Sequence, residues 1–329
     1  MGTLYITEQG AVLGKASRRL VVHKGDEKLT EVPIIKIDRV MLFGNIQVTS
    51  QAIAFLLDSG IDLCYLSSNG RFRGRLTPAE SKNILLRIAQ YERHLDNDFQ
   101  LAVSKDIVKA KIQNGKSLIK VYQKNYPDID FSEILATLDR SLDNVILQTQ
   151  VSSLLGIEGS ATAAYFRAFG QMFRKDDMSF TQRTKRPPKD PVNALLSFGY
   201  TLISNEILSF LFAVGLDPHI GFLHSLYFGR PSLALDMTEE FRHPVVDRFT
   251  LYLVNNGIIS RMDFEDKGED GFFLTQPALK RYFQHYEERM GKASEGNSQN
   301  YRNLIREQAY KLARSIQTGE PYRPYTMEG

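Results

Sequence analysis

Short apolar runs separated by Gly, Asp and Asn dominate the first 76 residues. The runs are rich in β-branched residues, and this pattern with turn-forming punctuation is typical of strands. They cover residues 20–22, 32–37, 40–43, 46–49, 63–66 and 71–76. One helix interrupts them, with Ser50 as the predicted cap of residues 51–58 and Gly60 as the residue that closes it. The pattern predicts a small, mainly β domain over residues 1–76.

The apolar spacing changes to a helical period after Thr77-Pro78-Ala79-Glu80. Thr can cap a helix, Pro suits its first position and Glu can reach back to the cap amide, so residues 77–82 are the predicted linker and helix start. Apolar residues then recur three and four apart, as at Ile84, Ile88 and Tyr91. Cap-then-proline pairs at 190–191 and 217–218 predict further helix starts.

Residues 83–318 are therefore expected to form one larger, all-α domain. The predicted last helix covers residues 301–315, and a Pro- and Tyr-containing tail over 319–329 is expected to be flexible and is a candidate partner contact. At 329 residues the chain exceeds the length of about 150 typical of one domain. The predicted fold class is multidomain α+β.

Composition excludes disordered and fibrous classes, because 43% of the residues are hydrophobic and 24% charged. The one cysteine, Cys64, has no internal disulfide partner, which favours the cytoplasm. The longest apolar stretch, 195–216, contains Asn205 and Glu206, so it predicts a buried helix and no membrane span. The 41 Lys and Arg residues barely exceed the 38 Asp and Glu residues, which permits an anionic partner without demanding one.

Three segments hold ionisable side chains among small and apolar neighbours. In the first, Gly156 is expected to end one helix and Glu158 to enter the next, where its carboxylate is placed to bind a cation. The alternative is a first-turn Glu that complements the helix dipole. In the second, His219 and His224 flank an apolar run, and each is either a metal ligand or a hydrogen-bonded core histidine.

The third segment, residues 229–242, carries Asp236 and Glu239 three apart, on one face of a predicted helix. Spacing does not choose between Glu239 and Glu240, and a solvated acidic face is the alternative. Carboxylates with one histidine suit Mn²⁺ or Mg²⁺. Cations for a phosphate backbone lie near these segments. They are Arg167, Arg174, Lys175, Arg183, Lys185, Arg186, Lys189, Arg230, Arg242 and Arg248.

Four segments, taken in their order along the chain, resemble the CRISPR-associated endonuclease and integrase family of spacer acquisition. They read GIEG at 156–159, PPKDPVNALLSFGY at 187–200, GFLH at 221–224 and GRPSLALD at 229–236. The resemblance covers nearly the whole chain and implies the same order of a β-rich and a helical domain. One departure is His243, where proline is expected; here Pro244 follows.

The resemblance implies that Glu158, His224 and Glu239 are catalytic metal ligands, with Asp236 as a supporting acidic residue. It, and not the spacing, selects Glu239 and His224. Tyr165 is a candidate for stacking on DNA, with a core tyrosine as the alternative. Six of the cations named above are candidate DNA contacts, namely Arg167, Lys185, Arg186, Arg230, Arg242 and Arg248.

The activity implied by the resemblance is phosphoryl transfer, in which a 3′-hydroxyl of incoming double-stranded DNA attacks a CRISPR repeat-end phosphodiester; attack by water would give nuclease activity. The implied assembly is a homodimer, joined through the β domain, that binds a smaller CRISPR adaptation protein. Two other functions remain open at this point. One is a metal-dependent repair nuclease acting on branched DNA, and the other is a non-catalytic DNA-binding scaffold.

Overall fold

A computed structural model describes residues 2–68, 70–78, 83–293 and 299–327. The chain divides into two compact units. The first, here called the β unit, comprises residues 1–80 and 274–291. The second, the helical unit, comprises residues 81–273 and 292–329. A strand-rich N-terminal part followed by a helical part confirms the predicted class in outline.

Two four-stranded sheets build the β unit. The first has the order β1 (Gly2–Ile6), β5 (Ile37–Phe43), β7 (Asp62–Leu66) and β8 (Phe72–Leu76). The second has the order β4 (Glu27–Pro33), β3 (Arg19–Lys24), β2 (Val12–Ala16) and β6 (Gln47–Val48). Alternating apolar side chains such as Leu13, Leu20, Val40, Leu42 and Leu63 fill one core. The predicted runs missed β1 and β2.

Helix α1 (Ser50–Asp58) is capped by Thr49, whose side chain accepts a hydrogen bond from the amide of Ala52. The prediction of Ser50 as the cap was therefore one residue late. Gly60 does close the helix, with a φ of +73° that favours glycine. The predicted strand over 32–37 is interrupted, because Ile34–Lys36 form a 3₁₀ turn between β4 and β5.

A helix from late in the chain belongs to the β unit. In α9 (Gln276–Gly291), Phe283 stacks on Tyr5 of β1 with ring centroids 4.0 Å apart. The Tyr5 hydroxyl donates to Glu287 Oε1 at 2.7 Å. The prediction of a single helical domain over 83–318 is therefore wrong for this helix, since local periodicity does not show which core a helix joins.

The described part of the helical unit contains eight α-helices. They are α2 (Ile84–Leu95), α3 (Asn97–Asn125), α4 (Ser132–Leu147), α5 (Val151–Gly170), α6 (Pro191–Val214), α7 (Ser232–Phe241), α8 (Arg248–Asn255) and α10 (Tyr301–Thr318). A π-helical turn, Arg242–Asp247, joins α7 to α8. The unit is not all-α, because β9 (Phe264–Asp266) and β10 (Phe272–Leu274) pair as a short ribbon.

The predicted helix starts have different outcomes. Asp190 caps α6 and Pro191 takes its first position, as predicted. No helix follows Asp217 and Pro218; the Pro218 carbonyl instead accepts the amide of Leu233 at 2.9 Å. Of the start predicted at 77–80, residues 79 and 80 lie outside the described residues, and α2 begins at Ile84 with Asn83 as its cap.

Helix α6 matches a membrane span in length and composition, but 61% of its most apolar window is buried inside the protein. It packs against α7 and α10. Its polar interruption is paired: the Glu206 carboxylate, 1% exposed as a residue, meets Arg302 of α10, with Arg302 Nε 3.1 Å from Glu206 Oε2. The expectation of a buried helix is confirmed.

The C-terminal segment 319–327 packs on the helical unit, so the expectation of a flexible tail is wrong for the described part. Tyr322 and Met327 are buried. The Tyr322 hydroxyl donates to Glu240 Oε1 at 2.6 Å, and the Tyr325 amide donates to Glu240 Oε2 at 2.9 Å. Asn114 of α3 bonds the tail twice, through the Tyr325 carbonyl and the Met327 amide. Buried polar groups on α3 and α7 thus depend on the tail.

Substituting Tyr322→Phe is expected to lower the free energy of unfolding by about 1–3 kcal/mol, because Glu240 loses a donor. Burial raises the pKa of Glu240 to about 7, against the bonds from Tyr322 and Tyr325 that lower it. The folded state then binds more protons than the unfolded state, so stability falls as the pH rises toward 7. Loss of the hydroxyl raises this pKa further.

The loss in Tyr322→Phe should therefore be larger at about pH 8 than at about pH 5 in urea unfolding. Tyr310→Phe on α10 is the matched control, since Tyr310 is exposed. Equal losses at both pH values would contradict the role given to Glu240.

Candidate metal centre

Asp236 shapes the loop that carries His224. Its carboxylate is fully buried on α7 and accepts the backbone amides of Phe222, Leu223 and His224 at 2.6–3.0 Å. Asp236 Oδ1 also lies 2.7 Å from His224 Nδ1. Because a carboxylate accepts, this contact assigns the proton to Nδ1 and leaves Nε2 as the free lone pair, the arrangement of a histidine that binds metal.

The loop approaches α7 so closely that Gly221 admits no side chain. A Cβ at this position would lie 2.7 Å from Asp236 Oδ2 and 2.8 Å from the Ser232 carbonyl carbon. The sequence GFLH therefore needs its glycine for contact with the carboxylate. A solvated acidic face, the alternative considered for α7, is excluded because Asp236, Glu239 and Glu240 are all buried.

Glu239 lies one helical turn from Asp236 and has a cation at each oxygen. Arg242 Nη1 is 2.7 Å from Oε1, and Lys111 Nζ is 2.6 Å from Oε2. Burial alone would raise the pKa of Glu239, but the charges of Arg242 and Lys111 outweigh it and hold the pKa well below its usual range. The nearby His224 lowers this pKa further. Glu239 is therefore ionised at neutral pH.

Glu158 reaches the same place from α5. Its Oε1 contacts Lys111 Nζ and accepts the Thr162 hydroxyl at 3.0 Å. Glu158 is the eighth residue of one continuous helix, and Gly156 lies inside that helix. Both earlier interpretations, a helix break at Gly156 and a first-turn Glu, are wrong, because α5 runs without a break from Val151 to Gly170.

Two of the candidate ligands, Glu158 and Glu239, thus meet at the ammonium of Lys111, and the third, His224, lies close enough for its charge to act on Glu239. No three His, Cys, Asp or Glu side chains lie together as a ready-made metal cage in the described part of the chain. Two observations nevertheless fit a cation: the carboxylates of Glu158 and Glu239 already meet at one cation, Lys111, and His224 Nε2 is left for a ligand. Carboxylate oxygens with one imidazole nitrogen form a donor set suited to Mn²⁺ or Mg²⁺.

A second network of buried side chains contacts Arg242 through Tyr200. The guanidinium of Arg242 lies over the ring of Tyr200, 4.2 Å from its centroid. The Tyr200 hydroxyl donates to Asp247 Oδ1, and Asp247 Oδ2 takes the Tyr165 hydroxyl at 2.9 Å and lies 2.7 Å from His243 Nδ1. Against the effect of burial, the bond from His243 lowers the pKa of Asp247.

This network accounts for two sequence features. His243, which departs from the family pattern, is a buried partner of Asp247 one π-helical turn away. Tyr165 is 2% exposed, so its predicted stacking on DNA is wrong and the core alternative holds. Because burial raises the pKa of Tyr165 well above its usual value, with the charge of Asp247 adding to the effect, its hydroxyl stays protonated as a donor.

The candidate DNA contacts occupy different surroundings. Arg167, Lys185 and Arg186 are exposed residues, whereas Arg230, Arg242 and Arg248 are half-buried. Partial burial of the Lys185 ammonium, followed by the charges of Arg242 and Arg183, lowers its pKa. Lys185 therefore lies near the cations Arg242 and Arg183. The roles of all six residues in DNA binding stay predictions.

Sequence reasoning missed Lys111. A signal was present: Ile107, Ala110 and Asn114 mark a buried stripe, and Lys111 lies on it at helical spacing. A lysine on a buried stripe needs a carboxylate partner. The stripe does not indicate which carboxylates those are, because they come from α5 and α7.

Comparison with known proteins agrees with this architecture. A sequence model of the family described as CRISPR associated protein Cas1 matches residues 4–288. A Thermus thermophilus protein named CRISPR-associated endonuclease Cas1 3 is 33% identical over 336 residues, covering 99% of this chain and 98% of that protein.

Two solved structures share the fold. A casposase bound to integration product has a TM-score of 0.86 at 23% identity, over 100% of this chain and 95% of that one. A chain of a Cas6-RT-Cas1–Cas2 complex has a TM-score of 0.85 at 27% identity, over 99% of this chain and 36% of that one. Sequence and fold together define a CRISPR-associated protein. Within that class, the chain belongs to the Cas1 family.

Substituting Asp236→Asn is expected to lower the free energy of unfolding by roughly 2–4 kcal/mol, because an amide offers one acceptor oxygen where the carboxylate serves four donors. Asp217→Asn is the matched control: Asp217 also accepts a backbone amide and contacts a histidine, His219, but at the surface. It should cost less than about 1 kcal/mol in urea unfolding. Similar losses in both variants would contradict the role given to Asp236 in holding the His224 loop.

Proposed function

We propose that this protein is a metal-dependent DNA endonuclease and integrase that inserts short DNA duplexes as new spacers into a CRISPR array. The observation that carries the proposal is the buried, ionised Glu239, whose Oε2 shares the ammonium of Lys111 with a second carboxylate, that of Glu158. Membership of the Cas1 family supports it, as does the name endonuclease borne by the Thermus relative.

Glu158, Glu239 and His224 would hold Mn²⁺ or Mg²⁺. When bound, such an ion stabilises charge on phosphate oxygens and promotes ionisation of the attacking hydroxyl. Asp236 keeps His224 in the tautomer that presents Nε2. Arg242 fixes one oxygen of Glu239, so that the other points toward Lys111 and the candidate ligands. The cationic Lys185, Arg183 and Arg242 favour a phosphodiester beside the ion.

In the proposed reaction, a 3′-oxygen of the incoming duplex bonds to the phosphorus at the 5′ end of a repeat strand, and the bond from that phosphorus to the 3′-oxygen of the flanking nucleotide breaks. The attacking hydroxyl loses a proton and the displaced oxygen gains one. One phosphodiester replaces another, so no nucleotide cofactor and no covalent protein intermediate are needed. Water in place of the 3′-hydroxyl gives strand cleavage.

The proposed partners are a second copy of the chain and a smaller adaptation protein of the Cas2 type. The Cas6-RT-Cas1–Cas2 complex that shares the fold supports the second partner. For the homodimer, an apolar stripe on α2 of the helical unit is a second candidate contact, in addition to the predicted contact through the β unit. Five exposed side chains of α2 form it, namely Ile84, Leu85, Ile88, Tyr91 and Leu95. The proposal places the assembly in the cytoplasm.

His224→Ala is expected to reduce strand transfer by at least about a hundredfold, because the metal loses its only nitrogen donor. The measurement is joining of a labelled short duplex to supercoiled repeat-containing plasmid with Mn²⁺, in the presence of the purified adaptation partner. Addition of EDTA should abolish joining by the unsubstituted protein.

His219→Ala is the control, because His219 lies five residues away in the same loop and is exposed. Joining that survives His224→Ala would reject the ligand assignment. A folded protein that cleaves branched junctions but does not join duplexes would favour the repair nuclease, and DNA binding without either reaction would favour the scaffold.

A further inference from the structure

Lys111 lies where the candidate ligands converge, yet it has no part in the reaction as described so far. Its side chain is 4% exposed, and its ammonium contacts Glu158 Oε1 and lies 2.6 Å from Glu239 Oε2. It is therefore a buried cation shared by two carboxylates from different helices. Its neighbours along the buried stripe of α3, Ile107, Ala110 and Asn114, carry no charge, so its charged partners come from α5 and α7.

The charges of this cluster cancel before any metal is present. Glu158 and Glu239 carry two negative charges, and Lys111 and Arg242 carry two positive charges against them. Asp236 is already engaged by three amides and His224. A divalent cation added here would leave an excess of positive charge at low dielectric, which disfavours its binding. A DNA phosphodiester brings the missing negative charge.

The two cations differ in freedom. Arg242 is pinned, because its guanidinium bonds Glu239 and stacks over the ring of Tyr200. Lys111 has a flexible four-carbon stem and an ammonium that bonds equally well to a carboxylate or a phosphate oxygen. When a phosphodiester enters, Lys111 is the cation able to turn from the carboxylates to the phosphate.

We propose that Lys111 is a resident counter-ion that makes binding of the divalent metal and binding of the DNA phosphate depend on each other. Without DNA, Lys111 occupies the carboxylates and the metal binds weakly. With DNA, Lys111 pairs with the phosphate and frees Glu158 and Glu239 for the metal. By linkage, the metal strengthens DNA binding by the same factor. The inference rests on the proposed metal centre, and Lys111 acts in it as a positioning residue.

The test is the affinity for Mn²⁺ alone, measured by electron paramagnetic resonance of the free ion. Titrations compare the unsubstituted protein with Lys111→Met and Lys111→Gln, each without DNA and with a short duplex whose 3′ ends lack hydroxyls. DNA should tighten Mn²⁺ binding to the unsubstituted protein by about tenfold or more. Both variants should bind Mn²⁺ at least about tenfold more tightly than the unsubstituted protein without DNA. In both variants, DNA should tighten Mn²⁺ binding by less than about threefold.

Lys116→Met is the matched control, because Lys116 lies on the same helix and pairs with Asp139 away from the ligands. Without DNA, Lys116→Met should bind Mn²⁺ as weakly as the unsubstituted protein does. DNA should then tighten its Mn²⁺ binding by the same factor. Thermal unfolding gives a second readout: Mn²⁺ should raise the melting temperature of Lys111→Gln more than that of the unsubstituted protein.

Failure of this inference is distinguishable from failure of the proposed function. If Mn²⁺ binds and His224→Ala weakens it, but neither Lys111 variant binds more tightly without DNA, the counter-ion role is rejected and the metal centre stands. If no form binds Mn²⁺ with or without DNA, the metal centre itself is rejected, and the counter-ion role with it.

Discussion

Three carboxylates buried on one ten-residue helix impose the constraint on which the helical unit depends. Asp236, Glu239 and Glu240 of α7 are each at most 5% exposed, and an unpaired carboxylate in such a place costs several kcal/mol. Each finds a different partner. Asp236 holds the His224 loop, Glu239 meets Lys111 and Arg242, and Glu240 receives the C-terminal tail. Pairing these charges therefore fixes a loop, a neighbouring helix and the chain terminus at once.

The same constraint explains the irregular backbone that follows α7. Arg242 bonds Glu239 three residues earlier, while Asp247 has to reach Tyr165, Tyr200 and His243. The π-helical turn Arg242–Asp247 shifts the register between these two groups. Such turns often occur at functional sites. Here the turn lets one element present a guanidinium to the ligands and a carboxylate to the core behind them.

Local chemistry was predictable where one stretch of chain determined it. Asp190 and Pro191 begin α6 because cap and proline act within one turn. The same pair at Asp217 and Pro218 begins no helix, because the loop is held by tertiary bonds to α2 and α7. Helix α9 joins the β unit through Tyr5 and Phe283, a pairing that periodicity cannot show.

The candidate site was predictable only in part for the same reason. Spacing gave Asp236 and Glu239 on one helix face, and family resemblance selected Glu239, His224 and Glu158. The reading of Tyr165 as a DNA contact was wrong because aromatic character does not distinguish a stacking surface from a core. Lys111 was missed because its two partners lie 47 and 128 positions along the chain, and no local pattern connects them. A buried lysine on an apolar stripe is nevertheless a signal in itself.

Since folding without metal would leave Glu158 and Glu239 to repel each other, a cation between them stabilises the empty site. In the proposed metal centre that cation has to be displaced before the carboxylates serve as ligands, so a stable fold and the proposed metal binding place opposite requirements on Lys111.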